Sequence, residues 1–152
     1  MICVAKTVRY PGVGVLPTRV GVHIEVPRGS FVKRRRDGGV DFVSPLPCPF
    51  NYGSIPDLMA ADGEPLDALV FGPSLPFGTS CEVEVRGVVD FLDDGVPDPK
   101  VVCSPAPLSP AQRRAVERFF RLYARLKAGA ARVLGRPRGT TAFRGWLAAE
   151  AN

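Results

Sequence analysis

Alternation of apolar and polar positions dominates the first two thirds of the chain. Arg19–Val26, RVGVHIEV, alternates and is rich in β-branched residues, which predicts a strand ended by Pro27-Arg28-Gly29. Phe31–Arg36 and Val40–Val43 read as two short strands around the turn Asp37-Gly38-Gly39, a hairpin signal. Pro45–Asp57, crowded with Pro, Asn and Gly, reads as an irregular loop. Ala68–Phe71 is a short apolar strand. Cys81–Leu92, CEVEVRGVVDFL, predicts the longest strand, and the turn Asp93-Asp94-Gly95 separates it from another at Lys100–Cys103. After Pro107 the period changes. Ser109-Pro110-Ala111-Gln112 combines a Ser N-cap, Pro at the first helical position and Gln three residues after the cap. Val116, Phe119, Phe120, Tyr123 and Leu126 then recur at helical spacing. Gly129 predicts a helix end near Lys127, and Thr141 to Ala149 reads as a second short helix. Strands followed by helices predict an α+β fold, a small barrel or curled sheet with a helix laid over it.

Composition narrows this picture. A hydrophobic fraction of 45% supports a buried core, while 16 Gly and 16 Pro are too many for a helical bundle and suit short strands joined by tight turns. With no repeat, low-complexity tract or long linker, residues 1–152 read as one domain. No apolar run approaches the roughly 18 residues of a membrane span. The N-terminus lacks a charged region followed by an apolar block, so no signal peptide is expected. Cys3, Cys48, Cys81 and Cys103 lie far apart and read as free thiols in a reducing, cytoplasmic compartment. With a single histidine, His23, and no close cysteine pair, zinc is not expected.

The net charge of +5 conceals an asymmetry: −3 over residues 1–103 and +8 over residues 104–152. Ala61-Asp62-Gly63-Glu64-Pro65-Leu66-Asp67 places three carboxylates in six residues before an apolar strand, a repulsion that bound cations offset. Asp93-Asp94-Gly95-Val96-Pro97-Asp98-Pro99-Lys100 forms a second acidic turn, with a lysine opening the next strand. Taken singly, each loop reads as ordinary turn residues. Taken together, they leave open a site for Mg²⁺ or Mn²⁺ with phosphate, since the donors are oxygen without His or Cys.

These residues also carry a resemblance. Asp62-Gly63-Glu64-Pro65-Leu66-Asp67 resembles the Asp-x-Asp-Pro-x-Asp signature of the soluble family I inorganic pyrophosphatases. Ile24-Glu25-Val26-Pro27-Arg28-Gly29-Ser30 followed by Lys33 is similar to the family's Ile-Glu-Ile-Pro-Lys-Gly segment and its phosphate-binding lysine. Asn51-Tyr52-Gly53, the loop of Asp93, Asp98 and Lys100, and Phe119-Phe120 with Tyr123 resemble further family segments in the same order. The resemblance implies an OB-like five-stranded β-barrel with the C-terminal helix packed on it, a single domain, and Mg²⁺-dependent hydrolysis of pyrophosphate to two phosphates. It implies Asp62, Asp67, Asp93 and Asp98 as metal ligands, with Glu25 standing further back. Lys33, Tyr52, Lys100 and Tyr123 are implied on the phosphate oxygens, and Glu64 in the place of the general base. It also implies a homo-oligomer.

The chain departs from the pattern on the phosphate side. The middle acid is Glu64 where the family has aspartate. The arginine clamp is absent, Lys33 to Asn51 is several residues shorter than usual, and Val40 falls near the arginine's place. Arg35 and Arg36 are candidate substitutes. Ala124 stands where a lysine follows the helix tyrosine, with Arg125 and Lys127 as alternatives. Two rival readings follow: a pyrophosphatase-like metal and phosphate binder with lost or altered activity on another phosphoanhydride, and an OB-like nucleic-acid binder using the basic tail. The strands offer few aromatics for base stacking, which disfavours nucleic acid.

Overall fold

The computed structural model describes residues 5–35, 37–43, 46–136 and 139–150; Cys3, Arg36 and Pro45, named above, lie outside them. A hairpin of β1 (Thr7–Tyr10) and β2 (Gly14–Pro17) leads into β3 (Arg19–Val26). Next come the small hairpin of β4 (Val32–Arg34) and β5 (Val40–Val43), then β6 (Asn51–Met59) and β7 (Pro65–Val70). The long β8 (Ser80–Asp93), the two-residue β9 (Val96–Pro97) and β10 (Lys100–Cys103) follow, then the helix α1 (Pro110–Val133) and β11 (Ala142–Trp146).

Strands β10, β7, β6, β3 and β8 are neighbours in that order, and β10 also pairs with β8, closing a five-stranded barrel. The β10–β7 contact is parallel and the others are antiparallel. With α1 against its outside, this is the expected α+β, OB-like architecture.

Alternation sorts the strand residues into two cores. Leu66, Ala68 and Val70 of β7 and Val101 and Cys103 of β10 fill the barrel interior with Val22, Ile24 and Ile55. Leu69, Val102, Val89 and Phe91 belong to the second core, with Val116, Phe120 and Ala124 of α1. Buried on both sides, β10 has no exposed residue.

The predicted helix start is realised: Ser109 Oγ accepts from Gln112 N at 3.1 Å, and Gln112 Oε1 accepts from Ser109 N at 2.9 Å. The helix does not stop near Lys127. Gly129 is carried through to Val133 by good helix formers on either side, such as Ala128, Ala130 and Ala131.

Two further expectations are corrected. The latter half of the segment read as a loop belongs to strand β6, Asn51–Met59, which runs on past Asp57. Its turn-like residues are held by tertiary contacts, and Pro56 falls in the irregular stretch of the β6–β7 ladder, where proline does least harm. Residues 141–149 form no helix; Ala142–Trp146 pairs with β8. Gly145 at φ 96° is incompatible with a helix, and it bulges the strand so that Trp146 covers Gly87. Arg113 of α1 stacks 4.4 Å from the Trp146 ring, and the indole N–H donates to Glu117.

Candidate active site

The site lies on the outer face of the barrel, beside the patch that α1 covers. Ser54, Asp67 and Lys100 occupy matched register on β6, β7 and β10, so their side chains form a polar row across three strands. Glu25 enters from β3. It is the extra residue where β3 and β6 slip register between Ile24 and Val26, and such a bulge re-aims a side chain. Ser54 Oγ donates to Glu25 Oε1 at 3.1 Å.

Asn51-Tyr52-Gly53 builds this wall. The buried Asn51 carboxamide accepts from the backbone N–H of Arg28 and Leu75, at 3.0 and 2.8 Å. It donates to the carbonyls of Val70 and Pro73, tying two loops to the strand. Tyr52 Oη donates to Asp67 Oδ2 at 2.8 Å. Gly53 lies so close to β3 that a Cβ there would be 1.9 Å from the carbonyl oxygen of His23.

Two clefts open on this surface. One, of about 370 Å³, includes Lys33, Tyr52, Asp67, Asp93, Asp98, Lys100, Tyr123 and Lys127 in its lining, with Phe91 and Phe119 on its apolar side. The second, of about 640 Å³, includes Glu25, Lys33, Asp62, Glu64, Asp67 and Asp98. Lys33, Asp67 and Asp98 line both. Every residue that the resemblance implies as metal ligand, phosphate contact or base therefore lines one cleft or the other, and three line both. Asp62 and Glu64 sit on an exposed turn between β6 and β7, where Asp62 Oδ1 accepts from Glu64 N at 3.0 Å.

Electrostatics at the junction centre on Lys100, whose side chain is only 6% exposed. Its Nζ lies 2.7 Å from Asp67 Oδ2 and 2.7 Å from Asp98 Oδ2. Burial acts against the ammonium, but the two carboxylates outweigh it and hold Lys100 above the usual lysine range. Burial likewise opposes charge on Asp67, and Lys100, Lys33 and the Tyr52 hydroxyl hold it below the ordinary aspartate value. Burial, then the neighbouring Asp67 and Asp98, push the Tyr52 phenol well above its normal range, so it stays a donor. Lys127 Nζ lies 2.7 Å from Asp93 Oδ2. Lys33 Nζ lies 3.5 Å from Glu25 Oε2, a buried oxygen that accepts no hydrogen bond among the described residues.

Among the described residues no three acidic, histidine or cysteine side chains are gathered as a finished metal cage. The carboxylates nevertheless suit a hard divalent cation: Asp67, Asp93 and Asp98 line the first cleft, Glu25, Asp62, Glu64, Asp67 and Asp98 the second, and one buried Glu25 oxygen has no hydrogen bond among the described residues. Cys48 lines the first cleft, but burial pushes its thiol up to about 11, which leaves it a filler rather than a thiolate.

The family model described as inorganic pyrophosphatase matches residues 22–144. The chain belongs to the inorganic pyrophosphatase family. It is 37% identical over 97 residues to an inorganic pyrophosphatase of Saccharolobus solfataricus, a match covering 59% of this chain and 56% of that protein. It is 30% identical over 139 residues to an inorganic pyrophosphatase of Synechocystis, covering 76% of this chain and 80% of the relative. Among solved structures, the inorganic pyrophosphatase of Neisseria gonorrhoeae superposes with a TM-score of 0.67 at 30% identity, covering 86% of this chain and 82% of that one. The match thus spans little more than half the length of the Saccharolobus relative.

Of the two arginines offered as clamp substitutes, Arg35 lines neither cleft. Arg34 donates to the Gly38 carbonyl and Arg35 pairs with Asp37, both inside the β4–β5 hairpin turn. Arg36 lies outside the described residues. Arg125 is exposed, whereas Lys127 lines the first cleft. The sequence named Lys127 only as an alternative; its ion pair with Asp93 across the cleft holds it there. Ser54 was missed altogether, because its segment reads as a loop and its role depends on a register that no local pattern encodes.

Proposed function

We propose that the protein hydrolyses inorganic pyrophosphate to two phosphates, with Mg²⁺ or Mn²⁺ held by the carboxylates of the clefts. The observation that carries this reading is the chain Tyr52–Asp67–Lys100–Asp98, a run of alternating donors and acceptors centred on the buried Lys100 where the two clefts meet. It suits a small, highly charged anion accompanied by cations.

Asp62, Asp67, Asp93 and Asp98 would hold the cations, with Glu25 behind them. When bound, such ions polarise phosphoryl oxygens and acidify water. Lys33, Lys100, Tyr52 and Tyr123 bind the phosphate oxygens and stabilise the charge that grows as the bridging P–O bond breaks. Water oxygen bonds to one phosphorus and the second phosphate leaves with the bridging oxygen. The proton of the attacking water passes to Glu64, a carboxylate on an exposed turn that lines the larger cleft.

The same reading places the protein in the cytoplasm as a homo-oligomer. Free thiols at Cys48, Cys81 and Cys103 support a reducing compartment. Exposed Leu122 and Val133 on α1 support self-association. No described helix is long and apolar enough to cross a membrane. The deciding experiment is phosphate release from pyrophosphate with Mg²⁺, with and without chelator. Release that the chelator abolishes is expected; none above the chelated control overturns the reading.

A further inference from the structure

Lys127 stands one turn beyond Tyr123 on α1, with its Nζ 5.3 Å from the centre of that ring. Its ammonium donates to Asp93 Oδ2 at 2.7 Å, and both side chains are about three quarters buried. The Asp93 carboxylate also accepts from Thr141. Among the described residues no arginine lines either cleft, and Lys33, Lys100 and Lys127 are its basic side chains. Lys127 is thus within the cleft in which an anion would sit, and it is held there by a carboxylate suited to a divalent cation.

These two roles compete at one carboxylate. An ammonium and a divalent cation compete for the same carboxylate, and the doubly charged ion has the stronger field. The lysine stem is flexible enough to move its charge by several ångströms. We propose that Lys127 is an exchangeable counter-ion: it neutralises Asp93 when no cation is bound there, and cation binding releases it to hold a phosphate group in the same cleft. The consequence is reciprocal coupling, in which the cation raises affinity for the anion and the anion for the cation. Lys127 thereby supplies the phosphate-binding cation that Ala124 cannot. This inference rests on the proposed use of the cleft for cations and phosphate, but not on turnover.

The test is calorimetric titration of the full chain with Mn²⁺ alone, then with inorganic phosphate in the presence and absence of saturating Mn²⁺. Lys127→Met removes the internal competitor and is expected to bind Mn²⁺ about three- to tenfold more tightly than wild type. With Mn²⁺ present, it should bind phosphate about tenfold more weakly. Without Mn²⁺, the two proteins should differ in phosphate affinity by less than about twofold. Arg125→Met, the same charge change at an exposed position of the same helix, should match wild type throughout. Lys127→Gln reads the same quantities if the methionine variant does not fold. The proposal is overturned if wild type binds no Mn²⁺, or if Lys127→Met leaves Mn²⁺ affinity unchanged or weaker. It is equally overturned if Arg125→Met reproduces the effect, or if the phosphate defect is independent of Mn²⁺. Phosphate release from pyrophosphate, measured separately on wild type, decides the hydrolytic reading: the titrations can succeed while it fails, and the reverse.

Discussion

Lys100 and Asp67 stand at the same register on the barrel's parallel strand pair, with Lys100 Nζ 2.7 Å from Asp67 Oδ2. Asp98 completes the bridge from two residues upstream of the lysine. A buried ammonium between two carboxylates costs desolvation to form, yet removing it strands the acids. Lys100→Met is therefore expected to destabilise the cation-free protein by about 3 kcal/mol, toward the low end of a broken buried pair because Asp98 is partly exposed. Urea unfolding with chelator present measures it. A loss below about 0.5 kcal/mol would show that the bridge contributes nothing to stability.

The same bridge sets a pH dependence. Asp67 titrates lower folded than unfolded, so its contribution is present above the ordinary aspartate pKa of about 3.9 and is lost as pH falls through the folded value. Lys100 titrates higher folded than unfolded, so its contribution is present below about 10.4 and is lost as pH rises through the folded value. The stability gap between wild type and Lys100→Met should be widest from about pH 5 to pH 9 and narrow toward both extremes. A gap that stays constant from pH 3 to pH 11 contradicts the assignment.

Cation binding should stabilise the fold, because the carboxylates around the clefts outnumber the lysines. Mg²⁺ at about 100 times its dissociation constant adds about 2.7 kcal/mol, which for a domain of this size raises Tm by roughly 5–10 °C. Asp62→Asn with Asp67→Asn should abolish most of that rise in differential scanning calorimetry. An unchanged wild-type Tm in millimolar Mg²⁺ and Mn²⁺ removes the proposed cation site.

The Asn-Tyr-Gly segment is expected to matter for folding before it matters for chemistry. Asn51→Ala leaves two backbone N–H groups and two carbonyls without their partner, which costs about 2–4 kcal/mol. Gly53→Ala forces β3 and β6 apart, since the new Cβ would be 1.9 Å from the His23 carbonyl oxygen, and costs about 3 kcal/mol or more. Chemical denaturation of both variants tests this. Near-wild-type stability of Gly53→Ala would disprove the close approach.

This segment also marks where sequence patterns stop being informative. Strands β3, β8 and β10 are legible because their residues sort between faces or form an unbroken apolar run. Strand β6 is not, since Asn51, Gly53 and Pro56 are turn formers by local preference and the strand is held by contacts to residues about 20–30 positions away. Strand β11 fails for a similar reason: Trp146 is placed by Gly87 and Arg113. The acids and lysines of the site are legible through motif order. The pairing of Lys127 with Asp93 is not, because it joins a helix residue to the end of β8, 34 positions away, which no local pattern encodes.

The proposed hydrolysis turns on Glu64 as its general base. It shares its cleft with Asp62 and Asp67, but its carboxylate is one methylene longer than that of the family's aspartate and projects from an exposed turn. A general base must reach the proton it accepts, and a displacement of about 1 Å can cost on the order of a hundredfold in rate. The wild type is therefore expected to release phosphate from pyrophosphate slowly, with cation binding intact because Asp62, Asp67 and Asp98 are unaltered. Glu64→Gln, whose amide cannot accept the proton, should lower kcat by about 10²–10⁴ with little change in the Mg²⁺ needed for half-maximal rate. Glu64→Asp should equal or exceed the wild-type kcat if the turn still presents a carboxylate where the shorter side chain reaches. These comparisons are made at saturating Mg²⁺ and pyrophosphate, so that weakened binding is not read as slower chemistry. Equal kcat in wild type and Glu64→Gln would remove Glu64 from the proton transfer and leave the remaining cleft carboxylates as the place to look for the base.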